Sequence, residues 1–458
     1  MSNGSLVELV AKSQLDEDIT DNTDKSSLFT FDITNKKNKY SKFDVIYYPQ
    51  GKATWGTTSR FYIKHDGDLL YALYLKIKLP ALSVKYLNTS TVQDEYDAIN
   101  TIYRVKYADY IGNMMIKKLS LYINDMLVDE LDGTFMQLYI DLYMSDSNRK
   151  TMIGLDDNLN KPKLKMDAEY VYVPLKFWFC DTTKPLPIIA LQYSDIYIDI
   201  TFRDFSDCVM VLEEDSSNYY HSNFTHQIFQ IEDVCLQANF YLVEKEERKQ
   251  LATREYEILI TQTQSRTINS TSYNISLDLL FNNVIKDIIF FIQPANNRSN
   301  GEFFNFTAKT KYIPQSLKST ITGDATGNAY QLWSLEPARH LLVQARFLFN
   351  GIERISYRDY KYFYLMQNYE NYRNALYSYV YMYSFNINPT RNDNWSGCNF
   401  SRLENPQIQI NIKPNPFIIQ VSPLVVYPVD SSYYLKCYAT NFNIIIIKNG
   451  IAGLKYHN

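Results

Sequence analysis

The sequence has few of the residues that build disulfide frameworks or metal sites. Its 458 residues include five cysteines and five histidines. The cysteines are odd in number and widely spaced, and no Cys-x-x-Cys pair occurs, which argues against both a disulfide framework and a zinc site. Buried free thiols in a reducing cytosol are the simplest interpretation. The five positions are Cys180, Cys208, Cys235, Cys398 and Cys437.

Long apolar runs and a strong charge of one sign are also missing. No stretch approaches the roughly 18 apolar residues of a membrane span, and the purest run, Ile444–Ile447, suits a strand core. The first residues, MSNGSLVELVAKSQL, lack the basic and apolar regions of a secretory signal. A net charge of −4 provides no strong field to attract a nucleic-acid backbone. We therefore expect no transmembrane segment and no direct nucleic-acid binding.

Motifs for catalysis, cofactors and metals are nearly absent. No Walker A or Gly-x-Gly-x-x-Gly motif occurs. His221 and His226 are poorly spaced for a helical metal pair, and Cys398 has no histidine near it in sequence that could activate it. The segment Asp66-Gly67-Asp68 resembles a piece of a calcium loop but lacks the other ligands, so we expect a hairpin turn there. The sequence predicts no catalytic, cofactor-binding or metal-binding residues and no enzyme, leaving a metal-dependent cupin as a remote alternative.

The chain is instead rich in strand-forming residues. It has 40 tyrosines and 25 phenylalanines besides many Ile, Val and Thr, which suit half-buried pleated surfaces. Its length would give about three average domains, but all-β sandwiches commonly need roughly 200 to 250 residues each, so two are expected. Domains of that size can each bury a core.

Three landmarks recur in the same order in the two halves of the chain. Each half has a strand ending in an Asn-initiated hairpin turn, then an aromatic strand with a Pro-bearing loop and a return strand, then a closing strand. Jointly they predict a duplicated sandwich. The pairs are the turns Asn124-Asp125 and Asn350-Gly351, the aromatic strands Tyr172–Phe179 and Tyr377–Phe385, the return strands Ile196–Thr201 and Ile408–Ile412, and the closing segments Ala238–Phe240 and Thr440–Phe442.

The expected fold is all-β, with two tandem eight-stranded jelly rolls and a few short helices in loops. We place an N-terminal arm at 1–27, the first jelly roll at 28–244, a charged linker at 245–254 that could form one helical turn, and the second jelly roll with a C-terminal tail at 255–458.

Two kinds of segment interrupt the strand pattern. Phe135, Leu138, Tyr139 and Leu142 have helical spacing and predict a helix that caps an open end of the first sandwich. Three long polar insertions also occur, and compact domains rarely carry such loops without a use. They are Ser145–Asp167, Asp204–His226 and Asn296–Glu336.

The segment 377–405, here called the signature segment, carries the most specific pattern. It runs from an aromatic strand through Asn388-Pro389 and Ser396-Gly397 to Cys-Asn-Phe-Ser-Arg at Cys398–Arg402. This order resembles a signature of the major capsid proteins of nucleocytoplasmic large DNA viruses. The segments Val171–Phe202 and Tyr438–Asn458 resemble other strands of that family, whereas the N-terminal arm departs from its usual pattern.

The resemblance implies a structural protein. Three chains would form a homotrimeric, pseudo-hexagonal capsomer that tiles the icosahedral shell of a large double-stranded DNA virus, with the insertions as outward-facing towers. The implied partners are neighbouring capsomers and minor capsid proteins, with glycans on outer loops left open. The implied location is the virion capsid, assembled in the host cytoplasm. The alternatives are a minor capsid paralogue or assembly scaffold of the same fold, and a glycan-binding jelly-roll module.

The signature segment also permits predictions for single residues. Pro389 and Gly397 should shape a crossing between strands, since proline fixes its φ and glycine tolerates positive φ. Phe400 should be buried in the second barrel. If the strand continues without a bulge, Arg402 shares the face of Phe400 and should reach a barrel rim or a subunit boundary.

Overall fold

The structure is a computed structural model of the chain. It describes residues 40–83, 103–143, 147–182, 184–215, 218–221, 229–308, 311, 313–314, 340–372, 379–387, 389–390, 396–413 and 432–456.

Sixteen strands build two sandwiches that follow each other along the chain. The first contains β1 Tyr40–Tyr47, β2 Thr58–Ile63, β3 Leu69–Leu79, β4 Ile116–Ile123, β5 Met126–Leu131, β6 Glu169–Pro174, β7 Ile196–Phe202 and β8 Asp233–Val243. The second contains β9 Tyr256–Ser270, β10 Asn274–Asp278, β11 Val284–Pro294, β12 Leu342–Phe349, β13 Ile352–Asp359, β14 Tyr381–Ser384, β15 Gln407–Ile412 and β16 Tyr433–Lys448.

The two sandwiches have the same strand order. In the first, the sheets run β1-β8-β3-β6 and β2-β7-β4-β5, and in the second they run β9-β16-β11-β14 and β10-β15-β12-β13. Short strands at Cys398–Asn399 and Ile451–Leu454 extend the larger sheet of the second sandwich. Two four-stranded antiparallel sheets interleaved in this way form a jelly roll. The predicted all-β double jelly roll is confirmed.

Side-chain alternation explains which face of each strand is buried. In β15 the isoleucines at 408, 410 and 412 are buried while the intervening residues are half-buried. Strand β11 is buried along nearly its whole length because it lies inside its sheet and next to the other sandwich. Such a two-sided burial produces a continuous apolar run, Ile288–Ile292, instead of alternation.

Both predicted Asn-initiated hairpin turns are confirmed. Asn124 and Asp125 have φ values of 51° and 60° between β4 and β5, and Asn350 and Gly351 have 53° and 77° between β12 and β13. Positive φ at both central positions is the requirement of a type I′ turn.

The hairpin predicted at Asp66–Asp68 is wrong. Strands β2 and β3 flank this segment, but they belong to different sheets, so the chain crosses from one sheet to the other there. Asp68 is buried, and its carboxylate accepts the backbone N–H of Val243 at 3.0 Å and pairs with the guanidinium of Arg248 at 2.8 Å. The sequence could not reveal these distant partners.

The aromatic strands are shorter than predicted. The first ends at Pro174, and residues 175–179 leave the sheet because β6 pairs with β3 only as far as this proline. The second is a strand at Tyr381–Ser384, and residues 373–378 lie outside the described residues.

The predicted helix and linker are both helical. Helix α1, Gly133–Tyr143, covers the predicted face, and α2, Lys245–Thr253, is a nine-residue helix where one turn was expected. The remaining short helical segments are Ile111–Met114, Ser147–Met152, Asp157–Asn160, Ile188–Ala190, Phe205–Cys208, Ala295–Ser299, Tyr362–Met366, Gln367–Asn371 and Phe400–Arg402.

The polar insertions of both halves meet in one small sheet. Strands Tyr103–Tyr107, Val209–Asp215, Asn218–His221 and Ile313–Pro314 form it, and the last pairs in parallel with its neighbour. Asp109, two residues after the first of these strands, binds the ammonium of Lys106 at 2.8 Å and also that of Lys311, from the second half of the chain. The insertions of the two jelly rolls are therefore joined to each other.

The buried apolar side chains form two clusters. One fills the second sandwich, and the other fills the first and continues across the boundary to residues such as Ile289, Tyr438 and Ile445. The described residues from Ser41 onward accordingly form one compact unit. In the described part of the chain, no helix has the length and apolar character needed to cross a membrane.

Candidate assembly surfaces

The boundary between the sandwiches, here called the seam, contains buried polar contacts. Asp129 of β5 accepts the backbone N–H of Thr263 in β9 at 3.0 Å and that of Glu130 at 2.9 Å. The side-chain amide of Gln262 donates to the carbonyl of Val128. Burial raises the pKa of Asp129 to about 7, because a carboxylate loses its hydration there.

Helix α1 crosses the seam. Phe135, in the first turn of the helix, donates its backbone N–H to the carboxylate of Asp132 at 2.7 Å. The same carboxylate accepts the hydroxyl of Tyr438 at 2.7 Å and pairs with Lys436. The rings of Phe135 and Tyr438 lie 5.3 Å apart. The helix thus joins the two barrels, whereas the sequence predicted only a cap on the first.

A second carboxylate, that of Asp287, binds the C-terminal end of α1. Asp287 is fully buried next to a register shift in β11, and it accepts the hydroxyls of Tyr143 at 2.8 Å and Tyr372 at 2.9 Å. Burial and this carboxylate hold the pKa of both tyrosines well above its usual range. Burial lowers the pKa of the neighbouring Lys286 ammonium. Polar residues in strands look like a solvent face in sequence, so no sequence signal identified this seam.

The signature segment places Phe400 in the core of the second barrel, as predicted. Its side chain is 2% exposed, and its ring lies 5.4 Å from that of Phe349 and 5.8 Å from that of Phe385. Gly397 has a different role from the one predicted, since its φ is not in the positive region. A Cβ there would lie 2.4 Å from the carbonyl oxygen of Ile285, so close approach to β11 requires glycine.

The prediction for Arg402 assumed that the strand continues through Arg402, but the strand is shorter than that. The strand ends at Asn399, and Phe400–Arg402 is a 3₁₀ turn whose N-terminal cap, Asn399, accepts the backbone N–H of Ser401 at 3.1 Å. A 3₁₀ turn rotates successive side chains by about 120°, so Phe400 points inward while Arg402 is exposed. Arg402 remains a candidate for subunit contacts.

The residues that the sequence offered for catalysis or metal binding do not lie together in the described part of the chain. Within the ranges that the structure describes, no cluster of three or more His, Cys, Asp or Glu residues could hold a metal ion. Cys398 is half-buried, and burial raises the pKa of its thiol, which disfavours the nucleophilic thiolate. The side chain of His221 and all of His226 lie outside the described residues.

His340 is held among tyrosines at one end of the second barrel. Its ring lies 4.4 Å from the ring of Tyr360 and 4.5 Å from that of Tyr379, and Nδ1 is 3.1 Å from the hydroxyl of Tyr381. Burial lowers its pKa to about 4. The imidazole is neutral at physiological pH and serves packing.

Each barrel exposes a group of large apolar side chains. The first-barrel patch is Ile46 and Tyr48, which together with the half-buried Tyr62 surround a hollow of about 460 Å³ beside Lys64. The second-barrel patch is Leu365, Met366 and Tyr369, of which Tyr369 is 83% exposed. Exposed apolar groups of this kind mark interaction surfaces.

Two family models cover most of the chain. The model of the large eukaryotic DNA virus major capsid protein matches residues 247–453, and the model of the major capsid protein N-terminus matches residues 30–243. The boundary between the matches falls at α2.

Curated proteins and solved structures agree with these matches. The major capsid protein of Phaeocystis pouchetii virus is 23% identical over 99% of this chain and 100% of its own length, and that of Paramecium bursaria Chlorella virus 1 is 24% identical over 76% and 80%. The PBCV-1 virus capsid structure superposes with a TM-score of 0.70 at 19% identity, covering 93% of this chain and 99% of the other. The Faustovirus major capsid protein gives 0.67 at 13% identity, covering 95% and 94%.

These likenesses extend over both jelly rolls. The chain therefore belongs to the family of major capsid proteins of nucleocytoplasmic large DNA viruses, which are structural proteins of the icosahedral capsid and not enzymes.

Proposed function

We propose that this capsid protein assembles as a homotrimer that forms one pseudo-hexagonal capsomer. The observation that carries this proposal is the repeated strand order of the two jelly rolls. Three chains with two similar barrels each supply six similar barrels around a threefold axis. Such a block presents nearly equivalent edges to its neighbours, and it can tile the facets of the shell of a large double-stranded DNA virus.

The seam supports the proposal because a capsomer needs a fixed angle between its barrels. The carboxylates of Asp129, Asp132 and Asp287 are hydrogen-bonded across or beside the seam. A buried polar group is satisfied only in one arrangement, so these contacts favour a single orientation of the two barrels.

The two exposed patches support contacts between copies. They lie on different barrels, one at Ile46 and Tyr48 and the other at Leu365, Met366 and Tyr369. A ring of three identical chains joins two different patches of each chain, which is a heterologous contact. The first-barrel and second-barrel patches provide two such surfaces.

We also propose the division into an arm at 1–27, a first jelly roll at 28–244, a linker at 245–254 and a second jelly roll at 255–458. Strand β8 ends at Val243 and strand β9 begins at Tyr256, which supports the boundaries between the linker and the two jelly rolls. No catalytic, cofactor-binding or metal-binding role is proposed for any residue.

The further partners are neighbouring capsomers and minor capsid proteins, with glycans on the polar insertions. Assembly in the host cytoplasm is part of the same proposal. The five cysteines support it, since all are free thiols and suit a reducing compartment.

Mass photometry of the purified chain at micromolar concentration tests the oligomer. We expect a species of three times the 53.7 kDa chain mass. A monomer whose circular dichroism shows a folded β protein would refute the homotrimer. Quantifying the chain in purified particles tests its abundance, because a major shell protein should dominate the protein mass.

A further inference from the structure

A groove runs along the seam between the first barrel and one edge of the second. It has a volume of about 490 Å³. One wall is the loop after β6, with Trp178, Pro185 and Pro187, and one end is Leu251 of helix α2. The floor is the first part of β9, Tyr256–Thr261. We call this the inter-barrel groove.

Strand β9 is the edge of its sheet, and its backbone pairs with β16 on one side. The backbone N–H of Thr263 points to the other side, because it donates to Asp129 of the first barrel. The register with β16 has no shift from Tyr256 to Ser270. In an antiparallel strand the N–H and C=O of one residue point to the same side, and this side alternates along the chain.

The alternation fixes the direction of the backbone groups in the groove. Counting back from Thr263, the N–H and C=O groups of Thr261, Leu259 and Glu257 also point away from β16, toward the first barrel. All three residues line the groove. Among the described residues, no backbone group of another segment is hydrogen-bonded to them. A row of open N–H and C=O groups on a strand edge is a template for an additional strand.

The chemistry of the groove restricts what can bind. Its walls are mostly apolar, with an indole ring and two prolines beside the exposed Leu259. Glu257 pairs with Lys455 at 3.3 Å. The other charged side chain that lines the groove is Lys184, which is exposed and for which the described residues show no ion pair. The charged group in the groove that is available to a partner is therefore the positive ammonium of Lys184.

We propose that the inter-barrel groove binds an extended peptide segment of a partner protein, which adds to β9 as a further strand. About five residues of the partner span Glu257–Thr261, at roughly 3.3 Å per residue. Their backbone pairs with the three outward-facing residues of β9. Alternate apolar side chains pack on Trp178 and the prolines, and an acidic side chain lies near Lys184. Main-chain pairing combined with side-chain pockets is the physics of β-strand addition.

Selection from a phage-displayed library of random seven-residue peptides on the purified protein tests this directly. We expect enriched sequences with alternating apolar residues and an acidic residue at one end. A synthetic copy of the best peptide should bind in fluorescence polarisation. N-methylation of every second backbone nitrogen, which removes donors without changing side chains, should weaken binding at least tenfold.

Two variants locate the site. Lys184→Glu should weaken the acidic peptide at least tenfold and favour a version with lysine at that position, whereas Leu259→Glu should abolish binding of the original peptide. Leu280→Glu, at a leucine that is 57% exposed and outside the groove, is the matched control and should bind normally. Thermal unfolding of all three variants verifies that each is folded.

Several outcomes would overturn the inference. They are the absence of enriched peptides, equal binding of the N-methylated peptide, and equal binding by Lys184→Glu. Loss of the homotrimer in Leu259→Glu would show instead that a second copy of the chain covers the groove. The homotrimer itself is measured separately on the unmodified chain, so either proposal can fail without the other.

Discussion

The backbone N–H of Tyr193, in the loop after β6, donates to the carbonyl of Gly450 at 3.1 Å. Gly450 lies in the turn after β16, so this bond joins the last strands of the second barrel to the first barrel. Gly450 has a φ of 81°, and a Cβ there would lie 2.5 Å from the Tyr193 ring. The positive φ favours glycine at this position, and an added Cβ would have to displace the Tyr193 ring.

Gly450→Ala should therefore destabilise the protein more than an ordinary loss of a turn glycine. Positive φ costs an alanine about 1 kcal/mol, and displacing the Tyr193 ring adds to this. Gly351→Ala is the matched control, because its φ is 77° but nothing lies within 4 Å of an added Cβ. Urea unfolding of both variants measures the difference. Equal losses would mean that the Tyr193 ring moves away freely.

Phe400→Ala should lower the free energy of unfolding by about 3 to 5 kcal/mol, as for other buried aromatic truncations. The ring is packed among Phe281, Phe349 and Phe385, so its removal leaves a cavity. Phe400→Leu should lose less, since it keeps part of the apolar volume. A wild-type melting curve for Phe400→Ala would contradict the buried position of the ring.

Arg402→Ala should leave the fold intact, because the side chain is exposed at the end of a 3₁₀ turn. We expect it to weaken contacts between copies of the chain. Thermal unfolding and mass photometry at falling concentration separate the two effects. An unchanged melting temperature together with an unchanged oligomer would remove Arg402 from the candidate contacts.

The raised pKa of Asp129 makes stability depend on pH. Its folded value of about 7 lies above the roughly 3.9 of an unfolded aspartate, so the folded state binds the proton more tightly. This contribution to stability is fully present below about pH 4 and is lost as the pH rises through about 7. Asp129→Asn keeps an oxygen acceptor for Thr263 and should flatten this part of the profile. Urea unfolding between pH 5 and pH 8 compares the two proteins, and parallel profiles would contradict the assignment.

Arg248→Ala should destabilise the protein by about 1 to 3 kcal/mol, because it leaves the buried carboxylate of Asp68 without its cation. The Asp68 side chain is 1% exposed, whereas that of Arg248 is 56% exposed, so solvent screens part of the interaction. Lys249→Ala, on the same helix and paired with the exposed Glu246, should change little. Chemical unfolding of the two variants decides whether α2 is anchored through Arg248.

Local features of the fold were predictable from sequence. The turns at Asn124 and Asn350 need positive φ, which asparagine and glycine supply by themselves. Helix α1 shows its apolar spacing within 11 residues. The double jelly roll followed from strand composition, the repeated landmarks and the family resemblance.

Features that depend on distant partners were not predictable. The segment Asp66–Asp68 looks like a hairpin turn, and only the pairing of β2 with β7 and of β3 with β8 makes it a crossing between sheets. Phe400 and Arg402 follow a strand pattern, but the 3₁₀ turn replaces the strand after Asn399.

The same distinction between local features and features that depend on distant partners applies to the assembly surfaces. The sequence by itself determined that each half of the chain contains a similar series of apolar strands and turns. Residue type and spacing set the local backbone conformation and the buried face of each strand. Only the tertiary structure decided that Asp129, Asp132 and Asp287 are buried at a seam, and that the edge of β9 opens into a groove. Burial and open edges depend on which segments meet in space, and hydrogen-bond partners more than 100 residues apart, such as Asp129 and Thr263, leave no periodic signal in the chain.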